Sequence, residues 1–317
     1  MGLIPDSLTV GVLAGGVSGE REISLISGQE AYNALRRNNV RSVFIDIVTC
    51  EPEKVKELLS ASNIDVAFIA LHGEFGEDGR IQKILDEVSI TYTGSGQAAS
   101  YLAMNKIFSK KMFIKCKVPT PGFLVYEEGK GIPYGITYPV VVKPYFAGSS
   151  LGVSVVTDAG SLPAALGKAC AFQNKVVIEE YIEGREFTVG ILEEKPLAVV
   201  EIIPKKGYFD FTTKYSDGLA EFVVPAQLDD VLYQCIQEEA LRAHQALGCK
   251  HFSRVDIRLR TDNAVYVLEV NSIPGLTTHS LLPLSARCCG ISFDELVARM
   301  VWLALNEKKQ FQEVRKS

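Results

Sequence analysis

The chain has 317 residues, too many for one ordinary core and enough for two or three domains. Apolar residues make up 47% and charged residues 22%, so there is enough to bury and wholesale disorder is excluded. The net charge of −5 lacks the basic excess of a nucleic-acid binder, although a local cationic pocket stays open.

The 7 cysteines are odd in number and scattered, with no CxxC, which suggests neither a disulfide framework nor a zinc site. Buried, reduced thiols in a cytoplasmic protein are expected. The N-terminus lacks a basic segment followed by a long apolar one, so no signal peptide is read. No stretch approaches the ~20 apolar residues of a membrane helix.

The first hundred residues alternate strand-like and helix-like segments. Leu8–Leu13 is a β-rich run that ends in Gly15-Gly16, and Glu20–Arg36 has helical spacing. Val43–Ile47 reads as a strand, Pro52–Leu59 as a helix with proline in its first turn, and Val66–Leu71 as a strand ending at His72-Gly73. A helix near Gly79–Glu87 follows. This alternation argues for a parallel α/β sheet, whose ligands sit beyond the carboxyl ends of the strands.

Thr93–Gly96 reads as a boundary and Asn105–Lys117 as a basic helix. Strands at Gly122–Tyr126, Val140–Lys143, Val153–Val156 and Val176–Tyr181 then make a small α+β block. Strands at Glu186–Leu192 and Leu197–Ile203 precede a polar loop, Pro204–Glu221, long enough to be a lid. A helix from Asp229 to Leu247 stops at Gly248.

Ser253–Arg260 and Val265–Asn271 both alternate, and Asp262-Asn263 between them suits a two-residue hairpin turn. The implied register pairs Val255 with Val270, Ile257 with Leu268, and Leu259 with Tyr266 on an apolar face. On the other face Asp256 opposes Glu269 and Arg254 opposes Asn271. Directly opposed residues have Cβ atoms about 4.5–5.5 Å apart, where like charges destabilise a sheet. Such a pair either shares a proton, stands solvated, or holds a divalent cation. Asn271 and Arg254 on the same face favour the cation, and oxygen ligands suit Mg²⁺ or Mn²⁺ shared with phosphates.

Lys143 ends a hydrophobic strand just before Ala147-Gly-Ser149-Ser150-Leu-Gly152, where small residues let backbone N–H groups approach phosphate oxygens. Taken singly, these features read equally as a solvated strand end and a turn. No Walker A loop and no GxGxxG occurs. Glu179-Glu180-Tyr181-Ile182, between two strands, suits either an acidic hairpin loop or a linker offering backbone groups to an adenine.

In order along the chain, Gly15–Leu25, Leu71–Gly79, Tyr92–Gly96, Met104–Lys106, Val142–Pro144 with Gly148–Ser150, Glu186–Thr188, Lys214–Asp217, Arg254–Asp256 and Glu269–Leu281 resemble the D-alanine–D-alanine ligase family of the ATP-grasp superfamily. The resemblance runs from about Val10 to about Leu305. It implies an N-terminal parallel α/β domain (1–97), a small central α+β domain (98–184) and a C-terminal α+β domain with an antiparallel sheet (185–317), its lid at 204–221. It also implies ATP-dependent joining of two D-alanines through an acyl phosphate, for peptidoglycan precursors. The expected partners are small molecules in a cytoplasmic homodimer, without nucleic acid or membrane.

By the same resemblance, Lys106 and Lys143 hold ATP phosphates, under a loop containing Ser149 and Ser150. Glu179, Glu180 and Ile182 flank the adenine, and Glu186 takes the ribose. Asp256, Glu269 and Asn271 hold two Mg²⁺ or Mn²⁺ ions. Arg254 and the Gly275 N–H form an oxyanion hole, Glu20 holds the first D-alanine's ammonium, and His72 supports substrate placement or proton transfer. Ser280 and the Leu281 N–H bind the second D-alanine's carboxylate. Lys214 reaches the transferred phosphate, and Tyr215 meets Ser149 and Glu20 on closure. Read without the family, Glu20 could serve only the helix dipole, His72 be structural, and Ser280 be a helix cap. Ala147 departs from the acidic residue, and Asn105 from the Asp, that many members carry. Tyr215 favours an amine acceptor; D-lactate, D-serine or an L-amino acid is the alternative.

Overall fold

The structure, a computed structural model, describes residues 4–205, 220–277 and 280–314, with 308–314 described by backbone alone. Three sheets organise it. The first comes from β1 (Thr9–Gly15), α1 (Arg21–Arg37), β2 (Arg41–Ile47), α2 (Pro52–Ala61), β3 (Val66–Ile69), α3 (Arg80–Glu87) and β4 (Thr91–Tyr92). Its strands are all parallel, in the order β2-β1-β3-β4. The two central strands are buried almost throughout, as continuous apolar runs covered on both faces must be. Their carboxyl ends deliver Gly15-Gly16 and Leu71-His72-Gly73 to one edge. Gly73 has φ +70°, and a Cβ there would lie 2.6 Å from Glu20 Oε2, so only glycine lets that loop pass the glutamate.

The second sheet follows α4 (Gln97–Met104) and α5 (Lys106–Lys115). It contains β5 (Phe123–Glu127), β6 (Val140–Pro144), β7 (Ser154–Val156) and β8 (Lys175–Glu180), antiparallel in the order β5-β8-β6-β7. Helix α6 (Leu162–Cys170) closes its core with Leu162 and Leu166 against Val142 and Ile178.

The third sheet is built from β9 (Gly184–Leu192), β10 (Lys195–Pro204), β11 (Ala220–Val223), β12 (Phe252–Arg260) and β13 (Val265–Asn271). It is antiparallel in the order β11-β10-β9-β12-β13. Helix α7 (Asp230–Ala246) is capped by Asp229, whose carboxylate accepts the Leu232 N–H at 2.9 Å. It packs Ile236 and Ala240 on the sheet's apolar face, together with Ala103 of α4 and Phe113 of α5. Helices α8 (Leu281–Cys288) and α9 (Phe293–Val314) complete the chain. Gly190 lets α8 approach β9 closely, since a Cβ would sit 2.6 Å from Leu282 Cδ1.

The hairpin β12–β13 keeps the outer part of the expected register: Arg254 pairs with Asn271, Val255 with Val270, and Asp256 with Glu269. Its inner part differs. Ile257 pairs with Val267 and Leu259 with Val265, leaving Leu268 as the extra residue of a bulge. The turn is the cause. Arg260 N–H donates to the Ala264 carbonyl at 2.9 Å, so the loop has a third residue, with Asn263 left-handed at φ 67°. The bulge absorbs that offset and turns Leu268 from the core toward the face that carries Asp256 and Glu269.

All seven cysteines are free, but Cys50, Cys116, Cys288 and Cys289 are exposed, which corrects the expectation of buried thiols. Cys116 and Cys289 are helix C-caps, where the chain turns back into solvent. Cys249 alone is buried, and burial pushes its thiol up to about 12.

Candidate active site

The polar face of the third sheet is a set of rows. Across β9, β12 and β13 one row reads Thr188, Asp256, Glu269, and its neighbour reads Gly190, Arg254, Asn271. Arg254 grips Asp256 with two hydrogen bonds, Nε to Oδ1 and Nη2 to Oδ2, both 2.9 Å. Thr188 Oγ1 donates to Asp256 Oδ1 at 2.7 Å. Glu269 lies 3.2 Å from Lys106 Nζ, and Asn271 Oδ1 accepts the Ile273 N–H at 3.0 Å. The two opposed carboxylates thus each have a cation beside them. Among the described residues no three His, Cys, Asp or Glu side chains form a metal cluster of their own. Two carboxylates and an amide oxygen still fit a hard cation that takes its remaining ligands from phosphates and water.

Asp256 and Glu269, with Glu186 and Arg258, form the floor of a cleft whose other wall is the second sheet. Lys106 starts α5, which Asn105 caps by accepting the Phe108 N–H at 3.1 Å, so Asn does here what Asp would do. Lys106 Nζ also donates to the Ala147 carbonyl at 2.7 Å, fixing the start of the Gly-Ser loop. Ser149 and Ser150 in that loop are both left-handed, at φ 51° and 57°. Glu180 and Ile182 line the far end of the cleft, Ile182 buried and Glu180 exposed.

Glu179 does not stand in an exposed acidic loop. It is buried in β8 with Lys143 Nζ 2.7 Å from Oε1 and Lys110 Nζ 2.5 Å from Oε2. Burial would raise its pKa, but the two ammoniums hold it below the ordinary carboxylate value.

At the other end, Glu20 sits at the N-cap position of α1 without capping it. It is buried, and its Oε1 accepts a hydrogen bond from Ser149 Oγ. The Gly-Ser loop therefore touches the N-terminal sheet's edge directly. His72 is buried, with Nε2 2.9 Å from Ser27 Oγ and Nδ1 3.5 Å from Glu77 Oε1. Ser27 Oγ in turn accepts the Leu276 N–H at 3.4 Å, so His72 reaches the Gly275 segment through one hydroxyl. Ser280 precedes α8, but its hydroxyl makes no cap bond; it turns back to Thr277, 2.8 Å from its Oγ1, beside Gly275.

Residues 128–302 match the family model of the D-Ala–D-Ala ligase C-terminus, and 48–95 match that of its N-terminus. Over 295 residues the chain is 44% identical to the D-alanine–D-alanine ligase of Geotalea uraniireducens, covering 92% of this chain and 94% of that one. With the enzyme of Syntrophotalea carbinolica identity is 43%, covering 92% and 94%. The fold matches the crystal structure of the Bacillus anthracis D-alanine–D-alanine ligase complexed with ATP, with a TM-score of 0.84 and 31% identity. The match covers 96% of this chain and 99% of that one. The chain belongs to the D-alanine–D-alanine ligase family.

Two groups, one behind this ligase's cleft and one lining it, escaped the sequence reading. Lys110 looks like one more solvated lysine of a basic helix, yet it is fully buried. Arg258 falls on the polar alternation of β12 but has no local mark of function. It donates from Nη1 to Glu186 Oε2 at 3.0 Å, and from Nε and Nη2 to the Ile182 carbonyl at 3.1 and 3.0 Å. That carbonyl is thereby turned toward the arginine. Lys214 and Tyr215 lie outside the described residues. No described helix is long and apolar enough to cross a membrane.

Proposed function

We propose that this ligase condenses two D-alanines into D-alanyl-D-alanine, converting ATP to ADP and phosphate, for peptidoglycan precursor synthesis. It is read as a cytoplasmic homodimer of three units, 1–97, 98–184 and 185–317. Helices α4 and α5 belong to the middle stretch but lie on the last unit's sheet. The observation that carries this reading is the hydrogen bond from Ser149 to Glu20, which brings a phosphate loop and an ammonium-binding carboxylate to one point.

Lys106 and Lys143 bind the polyphosphate, with the adenine at Glu179, Glu180 and Ile182 and the ribose at Glu186. Glu20 holds the first D-alanine's ammonium, so its carboxylate oxygen faces the γ-phosphorus. That oxygen forms the new P–O bond while the bond to ADP breaks, giving an acyl phosphate. The second D-alanine, its carboxylate on Ser280 and the Leu281 N–H, attacks the acyl carbon through its deprotonated amine. The negative oxygen that develops there is met by Arg254 and the Gly275 N–H, before phosphate leaves. His72 orients this segment through Ser27. Asp256, Glu269 and Asn271 would hold Mg²⁺ or Mn²⁺, which supplies charge stabilisation to the transferred phosphoryl group. Water must be kept from the acyl phosphate, which is the use of a closing loop.

The test is a product assay. Enzyme, ATP and Mg²⁺ are supplied with a mixture of D- and L-amino acids and D-lactate, and products are read by mass spectrometry. D-Alanyl-D-alanine with stoichiometric ADP is expected. Only a depsipeptide or an L-containing dipeptide would reject the assignment.

A further inference from the structure

Lys110 is the most deeply buried cation near the cleft, with its side chain 1% exposed. Its ammonium donates to Thr120 Oγ1 at 2.8 Å and to the Pro121 carbonyl at 3.2 Å, and pairs with Glu179 Oε2 at 2.5 Å. The ring of Phe123 lies beneath it, 5.5 Å from Nζ. It does not line the cleft, whereas Lys143, on the other oxygen of the same carboxylate, does.

The charge count of this cluster is the point. Lys143 and Glu179 alone would form a neutral, closed pair, in which the carboxylate already satisfies the ammonium meant for a phosphate. Inside a protein such a pair is held strongly, because little solvent screens it. A second buried ammonium changes the sum. Two lysines and one glutamate leave a net single positive charge, and of the two lysines only Lys143 can reach the cleft. An ammonium on each of its oxygens also holds the Glu179 carboxylate in place, and with it Lys143.

We infer that Lys110 is a positioning residue for nucleotide binding: as the dedicated counter-ion of Glu179, it leaves the charge of Lys143 free for the ATP polyphosphate. This inference rests on the ATP-dependent ligase reading above and adds a residue to it. Lys110 touches no substrate, so its effect is expected in the apparent KM for ATP rather than in kcat at saturating ATP.

The experiment compares the wild-type chain with Lys110→Met and Lys110→Arg, using ADP release for kinetics and calorimetry for binding of ADP and of adenosine. Wild-type turnover with D-alanine tests the ligase reading by itself. Lys110→Met leaves the neutral pair, so KM for ATP should rise about tenfold or more, equivalent to about 1.4 kcal/mol, with kcat changed less than KM. ADP should bind correspondingly more weakly, whereas adenosine, which has no phosphate, should stay within about twofold of wild type. Lys110→Arg keeps the net positive charge of the cluster and should bind ATP and ADP more tightly than Lys110→Met. A structural role alone predicts that ADP and adenosine weaken together, and that result overturns the inference, as does an unchanged KM in Lys110→Met. If Lys110→Met does not fold, Lys110→Gln is measured in its place with the same outcomes.

Discussion

Ser149 and Glu20, 129 positions apart, are joined by a hydrogen bond from hydroxyl to carboxylate. Ser149 belongs to the loop after β6, and Glu20 to the first turn beyond the parallel sheet. Neither position is intelligible from local propensity. A serine held left-handed at φ 51° and a buried glutamate at a helix start that caps nothing are both locally unfavourable. Their meeting explains both.

Ser149→Ala should therefore act on the amino-acid side as well as on ATP. A hydrogen bond to a charged group contributes roughly 1.5–3 kcal/mol, so kcat/KM for D-alanine should fall by about ten- to a hundredfold. Glu20→Gln should fall further, and a double-mutant cycle should show coupling of at least about 0.5 kcal/mol, as residues in contact do. Strict additivity in steady-state ADP release would mean that the two act separately.

Arg258 ties Glu186, the carboxylate proposed to take the ribose, to the Ile182 carbonyl. Replacing it by methionine removes these hydrogen bonds from both acceptors. The expected result is a rise in KM for ATP of about tenfold with little change in kcat, because the contact is remote from the reacting atoms. KM for D-alanine should stay within about twofold, a change of less than 0.5 kcal/mol, measured at saturating ATP.

Asp256 and Glu269 face each other across β12 and β13, each with a cation neighbour, Arg254 and Lys106. Glu269→Gln should lower kcat by about a hundredfold or more, as loss of several kcal/mol of charge stabilisation would. It should also raise the Mg²⁺ concentration needed for half-maximal rate. Mn²⁺ binding followed by electron paramagnetic resonance provides the check without turnover, with weaker binding expected in the variant. Asp256→Asn should do the same and also destabilise the fold, since Arg254 and Thr188 lose their charged acceptor.

The stability of the chain should depend on pH through two buried imidazoles. His251 Nδ1 accepts the Gly94 N–H at 3.1 Å, so that nitrogen is unprotonated, while Nε2 faces Glu307 at 3.0 Å. Burial holds His251 below the ordinary imidazole value, and it does the same to His244 despite Glu194 beside it. The unfolded chain thus binds more protons than the folded one below about pH 6.5. Stability is fully present above that pH and is lost as pH falls toward the depressed values. Urea midpoints at pH 7.5 should exceed those at pH 5.5. His251→Asn, which tolerates the left-handed φ of 64° found there, should narrow the difference.

Much of the fold was legible because its signals are local. The βα alternation before residue 97, the helix α7 with its Gly248 stop, and the Asp256–Glu269 pairing all follow from periodicity and turn residues. The inner hairpin register was not, because the third loop residue and the Leu268 bulge compensate each other and leave the outer pairs unchanged. Lys110 was illegible for another reason. Its burial comes from Glu179, 69 positions away on β8, and nothing in a basic helix marks which lysine will meet a carboxylate. Arg258 likewise gains its meaning from Glu186 and Ile182 on and before a neighbouring strand.

The most direct measurement follows oxygen. D-Alanine labelled with ¹⁸O in its carboxylate is turned over with ATP and Mg²⁺, and the phosphate released is analysed by mass spectrometry. If the D-alanine carboxylate attacks the γ-phosphorus, each phosphate carries one ¹⁸O atom and the dipeptide bond retains one. Phosphate free of label, released in step with dipeptide, would contradict that chemistry.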